Sequence, residues 1–478
     1  MEKDKRHECT QYGRTQYEQE IRQMEGLLRM GRSFDLVGKS MEIGGKKAML
    51  YFVDGFAKDE MMEKMMEYLM KLTPEQADVP SAEAFARQNI SYLEASVSED
   101  PAAMVTAILS GQLCLLCEWY AGGILIDART YPVRGVSEPE DDRVLRGARD
   151  GFVETLVFNT ALIRRRIRDP RLTMEIVTAG ESSHTDIVLC YMAGRADSAF
   201  LSRLREKIRQ MGADALPLGQ QSLAEELVRF GINPFPRIRY TERPDAAAAS
   251  VLEGSVAVLV DNSPSVMLLP VSIFDFTQDT NDYYFPPLVG SYLRLVRGII
   301  FLLTIFFTPV WYLLTKHPEV LPQWAGFLLI KEPGDLPVIW QLLVLEFVID
   351  GLKLASLNTP APLAGTFSVV GALVLGDFAV KAGWFVPEVV LYMAFVAISN
   401  FTQPSFELGY AFKLFRILLL VLIAVGDVWG FVGGLALLAA TLAATRTLSG
   451  RCYLYPLVPF NGRALLRLIL RMPSKRGE

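Results

Sequence analysis

The apolar block over residues 291–445 constrains this chain more than any other feature. It opens with GIIFLLTIFFTPVWYLLT and closes with LLLVLIAVGDVWGFVGGLALLAATLAAT; between them lie further apolar runs, broken by Pro and isolated charges. A helix needs roughly 20 apolar residues to cross a hydrocarbon core about 30 Å thick. Residues 292–315 reach that length with no charge after Arg297. A core helix of a soluble enzyme is rarely so long, so the block predicts a helical membrane domain. Later runs cover 336–357, 363–381 and 386–403. Residues 408–445 would measure about 57 Å as one helix, nearly twice the hydrocarbon thickness, which predicts two spans turning near 426–430. The count is then about six spans, with five as the alternative.

The region before Gly290 has a soluble protein's composition, and 478 residues exceed one ordinary core. The expected fold class is a soluble N-terminal region of two subdomains, α+β and α/β in type, followed by an α-helical multi-span membrane domain. A formal net charge of −5 argues against a nucleic-acid partner. Five Cys (Cys9, Cys114, Cys117, Cys190, Cys452) are too few and scattered for a disulfide framework, in keeping with a reducing cytoplasm. Cys114 and Cys117 form a CxxC inside the apolar string QLCLLCEWY, far from His7, His184 and His317. They read as two thiols in a buried element rather than a redox or zinc site, and no metal or other cofactor is expected.

Residues 1–33 are charged and poor in large apolar side chains, predicting a flexible or loosely helical polar leader. They hold no apolar h-region, so no signal peptide is expected, and the long N-terminal region is placed on the cytoplasmic side. A first α+β subdomain spans 34–135. Its KAMLYFVDG reads as a strand. Residues 58–72 read as a helix with Met61, Met65, Leu69 and Leu72 on one stripe, a core face rather than a pliable binding surface. LCLLCEWYAGGILIDAR reads as a hairpin pivoting on Gly122 and Gly123. Residues 136–149 form a charged linker. Residues 150–168 predict a helix with Phe152, Leu156, Asn159, Ile163 and Ile167 on one stripe. It ends in the basic cluster Arg164, Arg165, Arg166 and Arg168. Such a cluster suits phosphate or anionic head groups, but cations are favoured at a helix C-terminus anyway. Strands alternating with helices then predict an α/β-type subdomain over 145–270. No P-loop, GxGxxG or catalytic spacing stands out, so this region reads as a sensing or assembly module, not an enzyme.

Charges inside the apolar block are the candidate site. Glu346, Asp350 and Lys353 sit at spacings of four and three, near one helix face. Asp377 lies in the next run with Lys381 four residues on, and Asp427 in the last. An acid at a helix centre costs about 2.5–3.5 kcal/mol on insertion scales, so such residues usually face a bundle interior or an aqueous path. Glu346, Asp350 and Asp377 are therefore candidates to line a cation pathway; the competing reading pairs Glu346 with Lys353 and Asp377 with Lys381, or puts them near an interface. Asn358–Pro362 and FTQPSFELG interrupt apolar runs, as cavity-lining backbone does. Gly430, Gly433, Gly434 and Leu437 make a face that permits close helix contact. Tyr283, Tyr284 and Tyr292 suit a membrane interface. Basic groups at Arg294 and Arg297, at Lys413 and Arg416, and over the tail 446–478 place both termini in the cytoplasm by the positive-inside rule.

The run DDRVLRGARDGFVETLVFNTALIRRRIRDPRL (141–172) resembles the signature of the spore germinant-receptor A-subunit (GerA) family. TERPD (241–245), EGSVAVLVDNSPSVMLLP (253–270), NDYY (281–284) and HPEVLP (317–322) match its pattern in the same order. On this sequence the pattern covers Arg149, Gly151, Phe152, Asn159, Arg164, Arg165, Arg166, Thr241, Glu242, Arg243, Pro244 and Asp245, none of them a catalytic constellation. DGLKLASLNTPAPL (350–363) departs from the acidic-Arg-Ala-Pro motif of ordinary receptor subunits, which puts direct nutrient binding in doubt. The resemblance implies two N-terminal subdomains, a membrane domain, location in the inner membrane of the spore, and ring-like homo-oligomers that conduct ions during germination. It also implies other germination or sporulation membrane proteins as partners. Within that resemblance Arg243 and Asp245 are expected to hold the soluble region against the membrane portion, with Pro244 fixing the turn between strand and helix. An ion channel or channel-like subunit is one expectation; a non-conducting sensor or scaffold is the other.

Overall fold

The structure, a computed structural model, describes residues 14–56, 59–90, 94–128, 147–228, 231–332, 334–358 and 379–470. Contacts divide the chain into two compact units, one holding residues 1–229 and 238–270, the other 230–237 and 271–478.

In the first unit, the N-terminal subdomain runs α1 (Arg14–Leu28), β1 (Leu36–Ile43), β2 (Lys46–Val53), α2 (Asp59–Met70), α3 (Pro74–Ala77), α4 (Ala82–Asn89), β3 (Glu94–Ser98), α5 (Pro101–Leu109), β4 (Leu113–Cys117) and β5 (Tyr120–Asp127). Its antiparallel sheet has the order β1-β2-β4-β5-β3. Side chains alternate across a strand, so one sheet feeds two cores. Ile43, Leu50, Leu115 and Ile124 pack with Leu69 and Phe85 on one face. Tyr51, Leu116 and Leu125 pack with Met24, Leu28 and Ile108 on the other. The expected polar leader is a helix from Arg14, because Tyr17, Met24 and Leu28 share a buried stripe too sparse to stand out among the charges. The Met-rich helix is core along its end, where Leu69 and Leu72 are buried. Cys114 and Cys117 fall on opposite faces of β4 and so cannot share a metal or a disulfide. Burial pushes their thiols up to about 12 and about 11.

The second subdomain runs α6 (Leu156–Arg166), β6 (Leu172–Ala179), β7 (Thr185–Met192), α7 (Ser198–Arg209), α8 (Gln220–Leu227), β8 (Arg239–Thr241), α9 (Pro244–Leu252), β9 (Val256–Val260) and β10 (Val266–Leu269). The helix expected from residue 150 begins only at Leu156. Asn159 folds the residues before it back by accepting from Val153 N at 2.8 Å and donating to Val153 O at 2.5 Å. Alternating strands and helices suggest a parallel sheet, yet every pairing here is antiparallel, in the order β6-β7-β9-β10-β8.

That order repeats the first sheet strand for strand. The correspondence extends to residues at one constant offset. Ser98, Glu99, Pro101 and Gly111 match Thr241, Glu242, Pro244 and Gly254, and β4 matches β9 end to end. In both copies the hydroxyl accepts from the backbone two residues on, Asp100 N to Ser98 Oγ at 3.3 Å and Arg243 N to Thr241 Oγ1 at 3.2 Å. In both, Pro opens the following helix and a Gly with φ near +100° follows its C-cap (Gly111 φ +95°, Gly254 φ +104°). The N-terminal region is two copies of one antiparallel α+β plan.

The second unit contains α10 (Asn281–Tyr284), α11 (Pro287–Lys316), α12 (Val338–Asn358), α13 (Ala379–Lys381), α14 (Pro387–Phe401), α15 (Phe406–Ala444) and α16 (Gly462–Ile469). Among the described residues α11 and α15 are long and apolar enough to cross a membrane. Trp311, Leu342, Leu345, Val389, Met393, Leu420 and Ile423 form the core between α11, α12, α14 and α15. Phe347, Val425 and Trp429 remain 79–87% exposed, an apolar surface that lipid or another protein covers.

Helix α15 is not one rod. Asp427 adopts φ 52°, ψ −128°, and the chain reverses there, so that 428–444 folds back along 406–426. A Cβ at Gly430 would lie 1.9 Å from Leu422 O, and one at Gly434 2.5 Å from a Leu419 methyl. Gly430 and Gly434 thus make the close contact expected of the small-residue face, while Gly433 faces open space. Residues 231–237, which chain order assigns to the soluble region, also belong to this unit. Phe235 stacks on Phe415 at 5.4 Å and meets Phe412 edge-on at 5.2 Å, Asn233 Nδ2 donates to Thr445 Oγ1 at 2.7 Å, and Tyr453 Oη donates to Pro236 O at 2.6 Å.

Candidate functional site

The acids of α12 meet the bases of α15. Glu346 and Asp350 are one turn apart, as are Lys413 and Arg416, so two facing turns carry two charges each. Arg416 donates from Nε and Nη2 to the two Glu346 carboxylate oxygens at 2.6 and 2.9 Å, and from Nη1 to Thr304 O of α11 at 2.7 Å. Lys413 Nζ lies 2.5 Å from Asp350 Oδ1 and 3.1 Å from Glu346 Oε2, and donates to Glu346 O at 3.1 Å. Arg416 is fully buried and Glu346 and Lys413 nearly so, while the Asp350 side chain is 31% exposed. One net-neutral cluster therefore pins α11, α12 and α15 together.

This arrangement corrects two expectations. Lys413 and Arg416 are not interfacial charges that report orientation, because each is consumed by an acid inside the bundle. Nor is Lys353 the partner of Glu346. Its ammonium lies over the Phe401 and Tyr410 rings, 4.8 and 5.5 Å from their centroids. Asp377, the third acid of the expected pathway, lies outside the described residues.

A second cluster closes the reversal in α15. Asp427 Oδ2 meets His317 Nε2 at 2.9 Å, and Lys316 Nζ reaches the Ile423 and Ala424 carbonyls at 2.9 and 3.4 Å. A reversal strips the last carbonyls of the first arm of their helical donors, and the Lys316 ammonium supplies one. A third sits at the start of α11. Asp282 of the NDYY motif is fully buried and accepts from Arg297 Nη1 and Nη2 at 2.7 and 3.1 Å, with Arg294 Nε at 3.4 Å.

In the first unit the basic cluster separates into unlike residues. Arg164 is fully buried and joins the two subdomains. It donates to Asp35 Oδ2 at 2.7 Å and Oδ1 at 3.0 Å, to Ser33 Oγ at 3.2 Å and to Leu172 O at 3.1 Å. Arg166 binds both oxygens of Asp150 at 2.6 Å, and Arg165 is exposed. Cutting one half of a buried ion pair typically costs about 3–5 kcal/mol, and Arg164→Met is expected to lower the unfolding midpoint of the purified protein accordingly. Arg165→Met is the control and is expected to leave it unchanged.

Arg243 breaks the rule its own repeat obeys. The equivalent Asp100 caps α5 by accepting from Ala102 N at 3.0 Å. Asp is a preferred cap and a cation at a helix N-terminus is disfavoured by the dipole, yet α9 carries Arg there. Arg243 is 1% exposed and forks onto Asp245 at 3.0 and 2.6 Å, while Glu242 O accepts from Phe152 N at 2.8 Å. The motif thus moves the capping carboxylate from the N-cap to Asp245, which accepts from Ala246 N at 2.9 Å, and buries a cation beside it.

Residues 25–478 match the family model described as Bacillus/Clostridium GerA spore germination protein. The chain is similar to stage V sporulation protein AF of Bacillus subtilis (strain 168), 35% identical over 442 residues that cover 92% of this chain and 90% of that protein. It is 28% identical over 446 residues to the membrane protein YfkQ of the same organism, covering 92% and 86%. Spore germination protein KA of that organism is 28% identical over 383 residues, covering 78% and 70%. Among solved structures, the N-terminal domain of the A subunit of the Bacillus megaterium spore germinant receptor GerK3 aligns with a TM-score of 0.40 and 21% identity, over 52% of this chain and 92% of that one.

Proposed function

The chain belongs to the GerA family of spore germination proteins, and from that membership we propose that it is a membrane subunit of spore germination that assembles into an ion-conducting homo-oligomer and amplifies or executes ion release. The observation that carries this reading is the charged cluster inside the apolar bundle. Ionisable residues at such depth are costly and mark ion pathways by default. Glu346, Asp350 and Asp377 are the proposed acidic path. Both acids are paired, Glu346 with Arg416 and Asp350 with Lys413, but Asp350 is the exposed end of the cluster and so the acid that meets a permeating cation first. The proposed location is the inner membrane of the spore with both termini on the core side, supported by the basic residues of 446–478. Arg243 and Asp245 are proposed to couple the soluble unit to the membrane unit, since a buried cation occupies an N-cap position that the helix dipole disfavours.

One observation favours a non-conducting scaffold that organises receptor complexes instead: Glu346 is fully neutralised, as a purely structural acid would be. Ion release from germinating spores carrying Asp350→Asn, at wild-type protein level, separates the two. Conduction predicts slowed release with partner recovery unchanged. Unchanged release, or slowing only in step with loss of partners, contradicts it.

A further inference from the structure

A cavity of about 400 Å³ opens beside the start of α11. That size falls within the roughly 300–1,000 Å³ of ligand sites. One wall is a continuous face of α11, Arg294, Leu295, Arg297, Gly298, Ile299 and Leu302. The facing wall is Leu465, Leu468 and Ile469, one stripe of α16, and Gln403, Ser405 and Leu408 at the start of α15 close a third side.

Three features mark it as built for an occupant. Gly298 leaves a notch in α11, where an added Cβ would find no atom within 4 Å. Gln403 is only 9% exposed, yet neither of its amide atoms has a hydrogen-bond partner. A buried amide without partners is destabilising, and a ligand with a polar group would offset that cost. The charged residues lining the cavity are both guanidiniums, while their carboxylate partners Asp279 and Asp282 do not line it.

The walls pass from two arginines to Ile299, Phe301 and Leu302 along the entry of a helix long and apolar enough to cross a membrane. Polar at one level and apolar at the next, they match the profile of a lipid. We propose that this cavity is a binding site for an anionic glycerophospholipid. The phosphate meets Arg294 and Arg297, Gln403 bonds the glycerol or ester oxygens, and one acyl chain lies in the notch at Gly298. The occupant fixes α16 against α11.

The test is native mass spectrometry of the full-length protein in detergent, titrated with phosphatidylglycerol, with phosphatidylcholine, or with inorganic phosphate. Wild type is expected to retain one phosphatidylglycerol about tenfold more tightly than phosphatidylcholine, which carries the same phosphate but adds a choline cation that the two guanidiniums repel. Gly298→Trp fills the notch and is expected to weaken that binding about tenfold, the equivalent of two methylenes left unburied. If Gly298→Trp does not fold, Gly298→Leu is the substitute, with the same direction expected. Equal retention of the two phospholipids by wild type, or phosphatidylglycerol binding undiminished by the filled notch, overturns the proposal. Binding of inorganic phosphate alone at comparable strength also overturns it, because the acyl chain would then contribute nothing.

Discussion

Arg416→Leu is expected to cost the folded protein about 3–5 kcal/mol, because it leaves the Glu346 carboxylate buried without the guanidinium that neutralises it. The loss exceeds that of an ordinary surface substitution, which stays within about 0.5 kcal/mol. It also releases Thr304 O, so α11 loses one of its hydrogen bonds to α15 at the same time. Glu346→Leu combined with Arg416→Met removes both charges and is expected to recover most of the stability, since a buried ion pair replaced by apolar groups of similar volume is often neutral. Thermal unfolding in detergent reads the difference. Equal damage from the single and double variants would mean that packing rather than charge holds the site. Retained folding in the double variant separates structure from conduction, because the protein could then be assayed for flux without the cluster.

Gly430→Ala is the second large effect expected, and it concerns the reversal of α15 rather than the charges. A methyl there would meet Leu422 O at 1.9 Å, an atom of backbone that cannot rotate aside. Overpacking typically costs about 1–3 kcal/mol, and a contact this short belongs at or above the top of that range. The same change three residues on has the opposite sign. Gly433 faces open space in a helix, so Gly433→Ala is expected to stabilise by about 0.5–1 kcal/mol. Comparison of the two unfolding midpoints checks both the reversal and its register. Similar effects at both positions would contradict the hairpin and favour one continuous helix.

The elements of the soluble region were legible because strand alternation and helix capping are local. Residues 113–127 read as a hairpin from their own apolar pattern, and the structure pairs β4 with β5 there, but the turn falls at Glu118 and Trp119 rather than at Gly122 and Gly123, which lie within β5. Pairing direction was not legible, since β7 reaches β9 across three helices and another strand. The internal duplication leaves little trace in the sequence because only a few side chains preserve it, chiefly Glu99, Pro101 and Gly111 with Glu242, Pro244 and Gly254. The reversal in α15 was legible from length alone. At the candidate site the sequence marked the acids and missed their partners. Glu346 and Arg416 are 70 residues apart, and Asp35 and Arg164 are 129 apart. Lys413 and Arg416 head an apolar run, where a basic pair ordinarily signals the membrane edge; only packing reveals that they point inward. Gln403 gave one cue in retrospect, a polar amide between two apolar helices and next to Pro404.

The most direct test of the central claim is cation flux through the purified full-length protein in phosphatidylglycerol-containing liposomes, wild type against Asp350→Asn. The account predicts measurable wild-type flux that falls on loss of the Asp350 charge, with the variant inserted and folded to the same extent. Well-folded wild-type protein that passes no cation, or flux indifferent to Asp350, would contradict it.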